Sequence, residues 1–234
     1  MDYRLEAGTN AKPTKGLFKK RKHKVKVPAG LRKRVGLVFQ FPEQQLFEET
    51  IEKDICFGPI NFGASQAEAL EAAHAAAAYM GLDEELLHRS PFQVSGGQLR
   101  KAAIAAVLAA DPDIIVLDEP TASLDQQSRT ELMQLLHTLN REQGKTIIVV
   151  THRLGEVLPY ADQYVVMDSG TCLYQGDAAA LIARPDLLER AGIESPAPIR
   201  LLAGLAEQLG AEPPAVYMDA ASTADWIIST MKHN

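Results

Sequence analysis

The sequence predicts an α/β fold around a parallel β-sheet. Residues 114–117 and 146–150 are short, almost entirely apolar runs, separated by a stretch with helical periodicity. Continuous apolarity over so few residues is typical of a strand that is buried on both faces, as in a parallel sheet. Polar residues follow both runs, and in such sheets ligands bind at the carboxyl ends of the strands.

The other elements continue this alternation of strands and helices. Residues 1–34 are rich in Gly, Pro and Lys without a clear period, so we expect a loop with short edge strands at most. Prolines interrupt a further helical region over residues 176–209. The predicted strands cover residues 35–39, 114–117, 146–150, 164–167 and 171–174. The other predicted helices cover residues 66–80, 82–88, 96–109, 126–143 and 154–160.

Length and charge distribution narrow the class of protein. A chain of 234 residues suits one large domain, or a domain with a subdomain. The longest uncharged apolar run, at 102–110, is too short to cross a bilayer. Residues 1–34 carry a charge balance of +10, whereas the rest of the chain carries −16. We interpret the basic cluster at 19–26 as part of a solvated loop. The alternative interpretation is that it binds nucleic acid or anionic lipid.

Two carboxylates follow the apolar run at 114–117. A carboxylate at a strand end beside a nucleotide is a ligand for Mg²⁺, and a second one can orient and deprotonate an attacking water. Asp118 is the candidate metal ligand and Glu119 is the candidate base. Because acidic pairs at strand ends are also common without such a role, this pair alone does not decide the function.

The residues Ser95-Gly96-Gly97-Gln98 open a predicted helix. Ser95 is a suitable N-cap, and the two glycines leave the backbone N–H groups of the first turn uncovered at the positive end of the helix dipole. Such a helix start is a receptor for a terminal phosphate. A helix that is only capped would not need two glycines there, because each costs up to about 1 kcal/mol relative to alanine.

These motifs resemble those of ATP-binding-cassette (ABC) ATPases. Residues 114–125, IIVLDEPTASLD, resemble the Walker B strand and D-loop, and VSGGQ at 94–98 resembles the signature motif. Gln40 matches the Q-loop glutamine that senses Mg²⁺, and His152 matches the histidine that contacts the γ-phosphate and the catalytic water. The resemblance implies a P-loop NTPase-like (RecA-like) parallel sheet with an inserted α-helical subdomain, and ATP and Mg²⁺ as cofactors.

The resemblance also assigns roles to these residues. It implies that Glu119 and His152 are catalytic and that Asp118 and Gln40 hold the metal. The implied nucleotide-binding residues are Gln40, Ser95, Gly96, Gly97, Gln98, Asp118 and Asp125. In the family the signature motif works in trans, on the ATP that the opposite subunit holds.

Residues 35–63 carry a more specific resemblance. VFQFPEQQLF at 38–47 and FGPINFG at 57–63 resemble the ATPases of energy-coupling factor transporters, and SPF at 90–92 agrees. In that family the segment after Gln40 forms a groove that receives coupling helices of the transmembrane subunit. The implied groove residues are Phe41, Leu46, Phe47 and Phe57. For some of them, packing inside the core is the alternative.

No stretch of the sequence reads Gly-x-x-x-x-Gly-Lys-Ser/Thr, the loop that brings a lysine and a backbone nest to the nucleotide phosphates. The resemblance therefore implies that the first strand, this loop and the following helix are missing from the printed chain. We expect this chain alone to bind Mg-ATP weakly, and the sheet to expose apolar side chains where a central strand is missing. A truncated form of a working subunit is favoured over a gene remnant.

The expected domains are a basic N-terminal segment over 1–34, an ABC ATPase domain over 35–195 with a helical subdomain at about 60–110, and a C-terminal helical extension over 196–234. The resemblance implies an ATPase that energises uptake of a vitamin or transition-metal ion. The implied partners are a transmembrane coupling subunit, a substrate-binding membrane subunit and a second ABC ATPase, identical or different, at the cytoplasmic face of the plasma membrane. The alternatives are a soluble ABC ATPase acting on nucleic acid, against which the groove segment argues, and a non-catalytic interaction subunit.

Overall fold

A computed structural model describes residues 29–41, 45–211 and 220–233. Its central sheet has three parallel strands in the order β1-β2-β3. These strands are β1 (Val35–Val38), β2 (Ile114–Asp118) and β3 (Thr146–Val150). Val38 pairs with Leu117, and Asp118 pairs with Val150. The carboxyl ends of the three strands therefore meet at one edge of the sheet, as the α/β prediction requires.

Two further strands form an antiparallel hairpin, β4 (Tyr164–Asp168) and β5 (Thr171–Gly176). The turn between them holds Ser169 at a φ of 47° and Gly170 at 78°. Glycine adopts positive φ without steric cost, which is why the chain turns at Gly170 as predicted. Within the described residues, this hairpin is not hydrogen-bonded to the central sheet.

The helices fill the stretches between these strands and the C-terminal part of the chain. They are α1 (Ala29–Arg34), α2 (Ile51–Asn61), α3 (Gln66–Tyr79), α4 (Glu84–Leu87), α5 (Gly96–Leu108), α6 (Gln126–Gln143), α7 (Leu154–Val157), α8 (Ala178–Ile182), α9 (Pro185–Arg190), α10 (Ala197–Leu209) and α11 (Ala220–His233), with a 3₁₀ turn at Pro91–Gln93. The predicted bounds of α3, α5 and α6 agree with these to within one residue. The helices α4 and α7 are shorter than predicted.

Two helices differ from the sequence prediction. α1 lies in a segment predicted as a loop, most of which, residues 1–28, lies outside the described residues. α2 has no counterpart among the predicted elements, because Gly58 and Pro59 read as breakers. The helix begins cleanly because Thr50 accepts the N–H of Lys53 at 3.3 Å. Its cap and its buried face therefore override the two unfavourable residues.

The helices α2, α3 and α5 pack against one another, and α5 also packs on β1. The buried face of α3 consists of small side chains, which allow close approach of the neighbouring helices. These residues are Ala69, Ala73, Ala76 and Ala77. This helical layer lies between β1 and β2 in the sequence, and it carries the predicted phosphate receptor at the start of α5.

Gly36 fixes the distance between α5 and β1. A Cβ atom at this position would lie 2.2 Å from Cγ1 of Val107 and 3.2 Å from Cγ of Pro112. Because heavy atoms cannot approach so closely, only glycine lets the backbone of β1 lie this near to α5. The signature helix is thereby held directly on the strand that leads to Gln40.

The strands β3 and β4 both expose apolar side chains. Ile148 and Val150 on β3 are about half-exposed, as are Val165 and Met167 on β4. A strand buried on both faces of a parallel sheet would cover such side chains. β3, which the sequence predicts as a buried strand, is therefore more exposed than predicted.

Candidate active site

Glu119 follows β2 in a left-handed backbone conformation, with φ at 45°. Its N–H donates to the carbonyl of Val150 at 2.8 Å, which continues the pairing of β2 with β3 past Asp118. Its own carbonyl oxygen accepts from Nη1 of Arg100 at 3.1 Å. A residue held in this region costs about 1–3 kcal/mol, and such residues cluster at functional sites. Three other non-glycine residues among those described also have positive φ, so Glu119 is distinguished by its contacts with β3 and Arg100 rather than by the strain alone.

The carboxylate of Glu119 lies against the end of β3. Its Oε1 accepts the backbone N–H of His152 at 3.0 Å and lies 2.6 Å from Nδ1 of the same residue. Its Oε2 accepts the hydroxyl of Thr151 at 3.2 Å. The carboxylate is 13% exposed, whereas the imidazole is 70% exposed. An ionised carboxylate only accepts, so Nδ1 carries a proton in this pair and Nε2 is the ring atom that can meet a ligand.

Asp118 and Gln40 lie at the ends of neighbouring strands. Asp118 ends β2, and Gln40 lies two residues beyond the end of β1. Because Val38 pairs with Leu117, the two positions are one step apart along the sheet edge. Carboxylate and amide oxygens are hard donors of the kind that Mg²⁺ takes, with water and phosphate oxygens completing its octahedral shell. The two residues therefore fit Mg²⁺ that is shared with nucleotide phosphates.

The structure gives no self-contained metal centre in the part of the chain that it describes. No group of three or more His, Cys, Asp or Glu side chains is arranged to hold an ion within residues 29–41, 45–211 and 220–233. A metal at Asp118 and Gln40 would thus depend on ligand oxygens from outside the protein.

The signature motif begins α5 as predicted. Ser95 accepts the N–H of Gln98 at 3.3 Å, and Oε1 of Gln98 accepts the N–H of Ser95 at 3.0 Å. This reciprocal pair is a capping box, which satisfies two N–H groups of the first turn. A Cβ at Gly96 would meet no atom within 4 Å, and one at Gly97 would meet only Cδ2 of Leu124, at 3.9 Å. The chain's own packing therefore does not require glycine at these two positions.

The signature motif and His152 line different cavities. Ser95 and Gly97 line a cleft of about 270 Å³ together with Leu124. His152 lines a larger cavity of about 810 Å³, between α6, α7 and the segment that ends at Arg200. The described chain thus brings Glu119 and His152 together, but it does not bring Ser95 into the same cavity as His152.

Asp125 caps α6 in this structure. Its Oδ1 accepts the N–H of Ser128 at 2.9 Å, and its Oδ2 accepts the hydroxyl of Ser128 at 2.8 Å. These hydrogen bonds hold the pKa of Asp125 below its usual range. Both oxygens of this predicted nucleotide contact therefore have a partner at the start of the helix.

Two charged residues that sequence reasoning did not single out link the site segments. Arg100 donates to the carbonyl oxygens of Gln40 and Glu119. Glu156 on α7 accepts the hydroxyl of Thr121 and lies 3.3 Å from Nη1 of Arg129. The sequence did contain a signal for Arg100, because it is a charged residue among the apolar positions of α5. Nothing in the sequence pointed to Glu156, whose partners are distant along the chain.

Three of the four predicted groove residues are exposed. Phe41, Phe47 and Phe57 are each about half-exposed. The rings of Phe47 and Phe57 pack edge to face, with centroids 4.8 Å apart and planes at 88°. Leu46 departs from the prediction because it is 4% exposed and packs in the hydrophobic core. Leu46 and Phe47 are adjacent, and one faces the core while the other faces solvent.

Comparison with known proteins identifies the family. Residues 8–122 match the family model of ABC transporters. The chain is 46% identical over 202 residues to the energy-coupling factor transporter ATP-binding protein EcfA2 of Bacillus cereus, a match that covers 86% of this chain and 69% of the relative. This chain belongs to the energy-coupling factor ATP-binding proteins of the ABC transporter family. The corresponding EcfA2 of Listeria monocytogenes is 51% identical over 170 residues, which cover 73% of this chain and 59% of that relative.

Solved structures agree with the assignment to the ABC transporter family. The cbiO1 protein of Clostridium perfringens, part of the ABC transporter complex cbiONQ, matches with a TM-score of 0.61 at 34% identity, over 74% of this chain and 68% of that one. The dimeric bacterial ABC transporter cassette MJ0796 matches with a TM-score of 0.57 at 31% identity, over 63% and 64%. The predicted P-loop NTPase-like fold and the ABC assignment are thereby confirmed. In the described part of the chain, no helix has the length and apolarity to cross a membrane.

Proposed function

We propose that this energy-coupling factor ATPase, when its phosphate-binding loop is present, hydrolyses ATP at the sheet edge formed by β1, β2 and β3, and so drives uptake of a vitamin or transition-metal ion through membrane subunits. The observation that carries the proposal is the contact of Oε1 of Glu119 with Nδ1 of His152, at 2.6 Å. This pair lies next to Asp118 at the end of β2. ABC membership supports ATP as the substrate. The relative cbiO1, part of cbiONQ, supports assembly with other subunits.

Glu119 is the proposed general base. A base must lie within hydrogen-bond reach of the water that it deprotonates, and its orientation must be fixed. The donors from Thr151 and His152 fix the carboxylate, while the hydrogen bonds to Val150 and from Arg100 fix its backbone. Nε2 of His152 then contacts the γ-phosphate or the attacking water. Together these residues orient the water and accept its proton.

Asp118 and Gln40 are the proposed protein ligands of Mg²⁺. A bound Mg²⁺ would neutralise charge on the β- and γ-phosphates during phosphoryl transfer. Their place at the ends of β2 and β1 sets them beside Glu119, so metal and base act on the same nucleotide. The chain's own contribution is to hold these two oxygen donors at one edge of the sheet.

The signature motif is proposed to act on a nucleotide held by a second ABC ATPase subunit. Gly96 has open space where a side chain would be, so approach of an external ligand to the backbone N–H groups explains the glycine better than internal packing does. The separation of Ser95 from the cavity of His152 supports the same arrangement. The dimeric structure of MJ0796 is a precedent for pairing of such cassettes.

The exposed phenylalanines Phe41, Phe47 and Phe57, here called the coupling patch, are the proposed contact with a transmembrane coupling subunit. Exposed aromatic side chains in one segment favour burial against an apolar helix of a partner. The protein would thus lie at the cytoplasmic face of the plasma membrane, attached through its membrane subunits. A separate membrane subunit would select the transported substrate.

The decisive experiment is Glu119→Gln in the full-length natural protein, assembled with its transporter subunits. Turnover should fall by about 10²–10⁴-fold, the usual effect of losing a general base, while ATP binding persists. The control is Glu207→Gln, the same chemical change at an exposed position of α10, which should leave turnover unchanged. Wild-type turnover in Glu119→Gln would exclude Glu119 as the base. Salt-sensitive binding of nucleic acid without a membrane partner would favour the nucleic-acid alternative.

A further inference from the structure

Arg100 joins three segments of the proposed active site. It lies on α5, which begins with the signature motif, and it is 6% exposed. Its Nη1 donates to the carbonyl of Glu119 at 3.1 Å, and its Nη2 donates to the carbonyl of Gln40 at 3.0 Å. One guanidinium thus spans the ends of β1 and β2 from the signature helix.

We propose that Arg100 is a positioning residue for hydrolysis, which couples the position of the signature helix to the backbone of Glu119 and Gln40. The proposal rests on the function proposed above. Arg100 does not touch the reacting atoms in this proposal. It acts through the conformation of Glu119, the proposed base.

The chemistry of the guanidinium suits this task. Arginine presents several N–H donors in a rigid planar fork, so it can hold two acceptors at a fixed separation. Lysine carries a compact ammonium group on a flexible stem, and it would not fix the same geometry. A buried charge is also unfavourable unless hydrogen bonds compensate it. The position of Arg100 is therefore better explained by its contacts than by simple packing.

Glu119 is the residue that needs such support. Its φ of 45° is disfavoured for a non-glycine residue, and a disfavoured conformation persists only where the surroundings hold it. The hydrogen bond from its N–H to Val150 holds one side of the residue, and on the other side its carbonyl accepts from Arg100 and from the N–H of Ala122, each at 3.1 Å. Removal of Arg100 would leave only the local contact from Ala122 on this carbonyl and would break its link to α5, so the carboxylate would be held less precisely.

The same helix carries the proposed phosphate receptor. Gly97 and Arg100 line the same cleft, beside Leu124. Close packing at Gly36 holds α5 on β1, so α5 moves together with the strand that leads to Gln40. A nucleotide that binds at the first turn of α5 and displaces this helix would therefore also displace the carbonyls of Gln40 and Glu119, through Arg100.

The test compares Arg100→Gln with Arg100→Lys in the assembled full-length protein. Arg184→Gln is the matched control, because it makes the same change at an exposed position that lines neither cavity. Arg100→Gln should lower kcat by about tenfold or more, as expected for loss of a charged hydrogen bond, with KM for ATP nearly unchanged. Arg100→Lys should be intermediate, and Arg184→Gln should match the wild type.

Single-turnover rates in the Glu119→Gln background separate positioning from a general structural role. If Arg100 acts through Glu119, Arg100→Gln should cause no further loss in that background. Equal losses in both backgrounds, or unchanged kcat in Arg100→Gln, would overturn the proposal. Wild-type turnover of Glu119→Gln alone would instead overturn the proposed function.

Hydrogen exchange gives a readout that does not depend on turnover. The variant used is Arg100→Lys, because it keeps the positive charge and remains available if Arg100→Gln fails to fold. In this variant the amide of Glu119 should exchange several-fold faster than in the wild type. Amides in the middle of α6 should keep their protection. Unchanged exchange at Glu119 would overturn the proposal.

Discussion

The hydroxyl of Thr121 donates a hydrogen bond to the carboxylate of Glu156, 35 positions further along the chain. The other oxygen of Glu156 lies 3.3 Å from Nη1 of both Arg129 and Arg153. Arg129 in turn donates from Nε to the carbonyl of Leu124 at 2.7 Å. The segment after Glu119 is thereby tied to α6 and to the helix that follows His152.

Replacement of Glu156 by Gln should destabilise the protein. The change removes the partly buried negative charge that faces Arg129 and Arg153, so we expect a loss of about 1–3 kcal/mol in the free energy of unfolding. Denaturant titration measures the change. Glu131→Gln, at an exposed position of α6, is the control and should stay within about 0.5 kcal/mol of the wild type. Equal stabilities of the two variants would show that the cluster contributes little.

Asp54 should make stability depend on pH. Its Oδ1 accepts the N–H groups of Phe47 and Glu48, while its Oδ2 is buried without a partner among the described residues. Burial raises the pKa of Asp54 above its ordinary value of 3.8 despite these hydrogen bonds. The folded state binds the proton of Asp54 more tightly than the unfolded state does. The contribution of Asp54 to the free energy of unfolding is therefore largest below pH 3.8, and it falls as pH rises through the raised pKa.

Asp54→Asn tests this sign. The amide oxygen can still accept from Phe47 and Glu48, but the side chain no longer ionises. The unfolding free energy of Asp54→Asn, relative to that of the wild type, should therefore increase as pH rises from acid to neutral. Parallel curves for the two proteins would contradict the raised pKa.

The contact at Gly36 predicts opposite outcomes for the same substitution at two glycines. Gly36→Ala would place a methyl group against Val107, and overpacking of this kind costs about 1–3 kcal/mol. Gly204→Ala, within α10 and with open space around it, should instead stabilise the protein by about 0.5–1 kcal/mol. Thermal unfolding compares the two. Adding Val107→Ala should recover part of the loss at Gly36, and the absence of any recovery would argue against this contact as the cause.

A charge in the coupling patch should separate ATP hydrolysis from transport. Phe47 is 59% exposed, so Phe47→Asp should cost the isolated chain mainly its edge-to-face contact with Phe57, about 0.5–1.5 kcal/mol. In the transporter the new charge would be buried against the partner helix without compensation, which should abolish coupling of hydrolysis to uptake. Leu201→Asp, at a similarly exposed position on α10, is the control. Normal assembly and uptake with Phe47→Asp would remove Phe47 from the interface.

The sequence predicted those parts of the site that depend on local pattern. The meeting of Glu119 with His152 followed from apolar runs that end in polar residues, because parallel strands bring their carboxyl ends to one edge. The cap at Ser95 followed from a short-range motif. Leu46 was misplaced, because adjacent apolar residues do not reveal which one faces the core.

The remaining features depend on contacts that no local pattern encodes. α2 was hidden by Gly58 and Pro59, whose unfavourable effect is outweighed by packing against α3 and α5. Arg100 binds backbone carbonyls, and every residue has one, so its partners could not be guessed from residue types. The strained φ of Glu119 is likewise a product of its tertiary surroundings.

The capping box at Ser95 and Gln98 has a consequence for how a ligand would bind and leave. The first turn of α5 is ordered before any anion arrives, so binding does not spend free energy on arranging it. However, the N–H of Ser95 is already engaged by Oε1 of Gln98, and a ligand oxygen must compete with that amide to reach it. If this helix start receives the phosphate, Gln98 would compete with it for the N–H of Ser95 and would accept that N–H again when the ligand departs. Such a receptor would favour rapid release over tight binding.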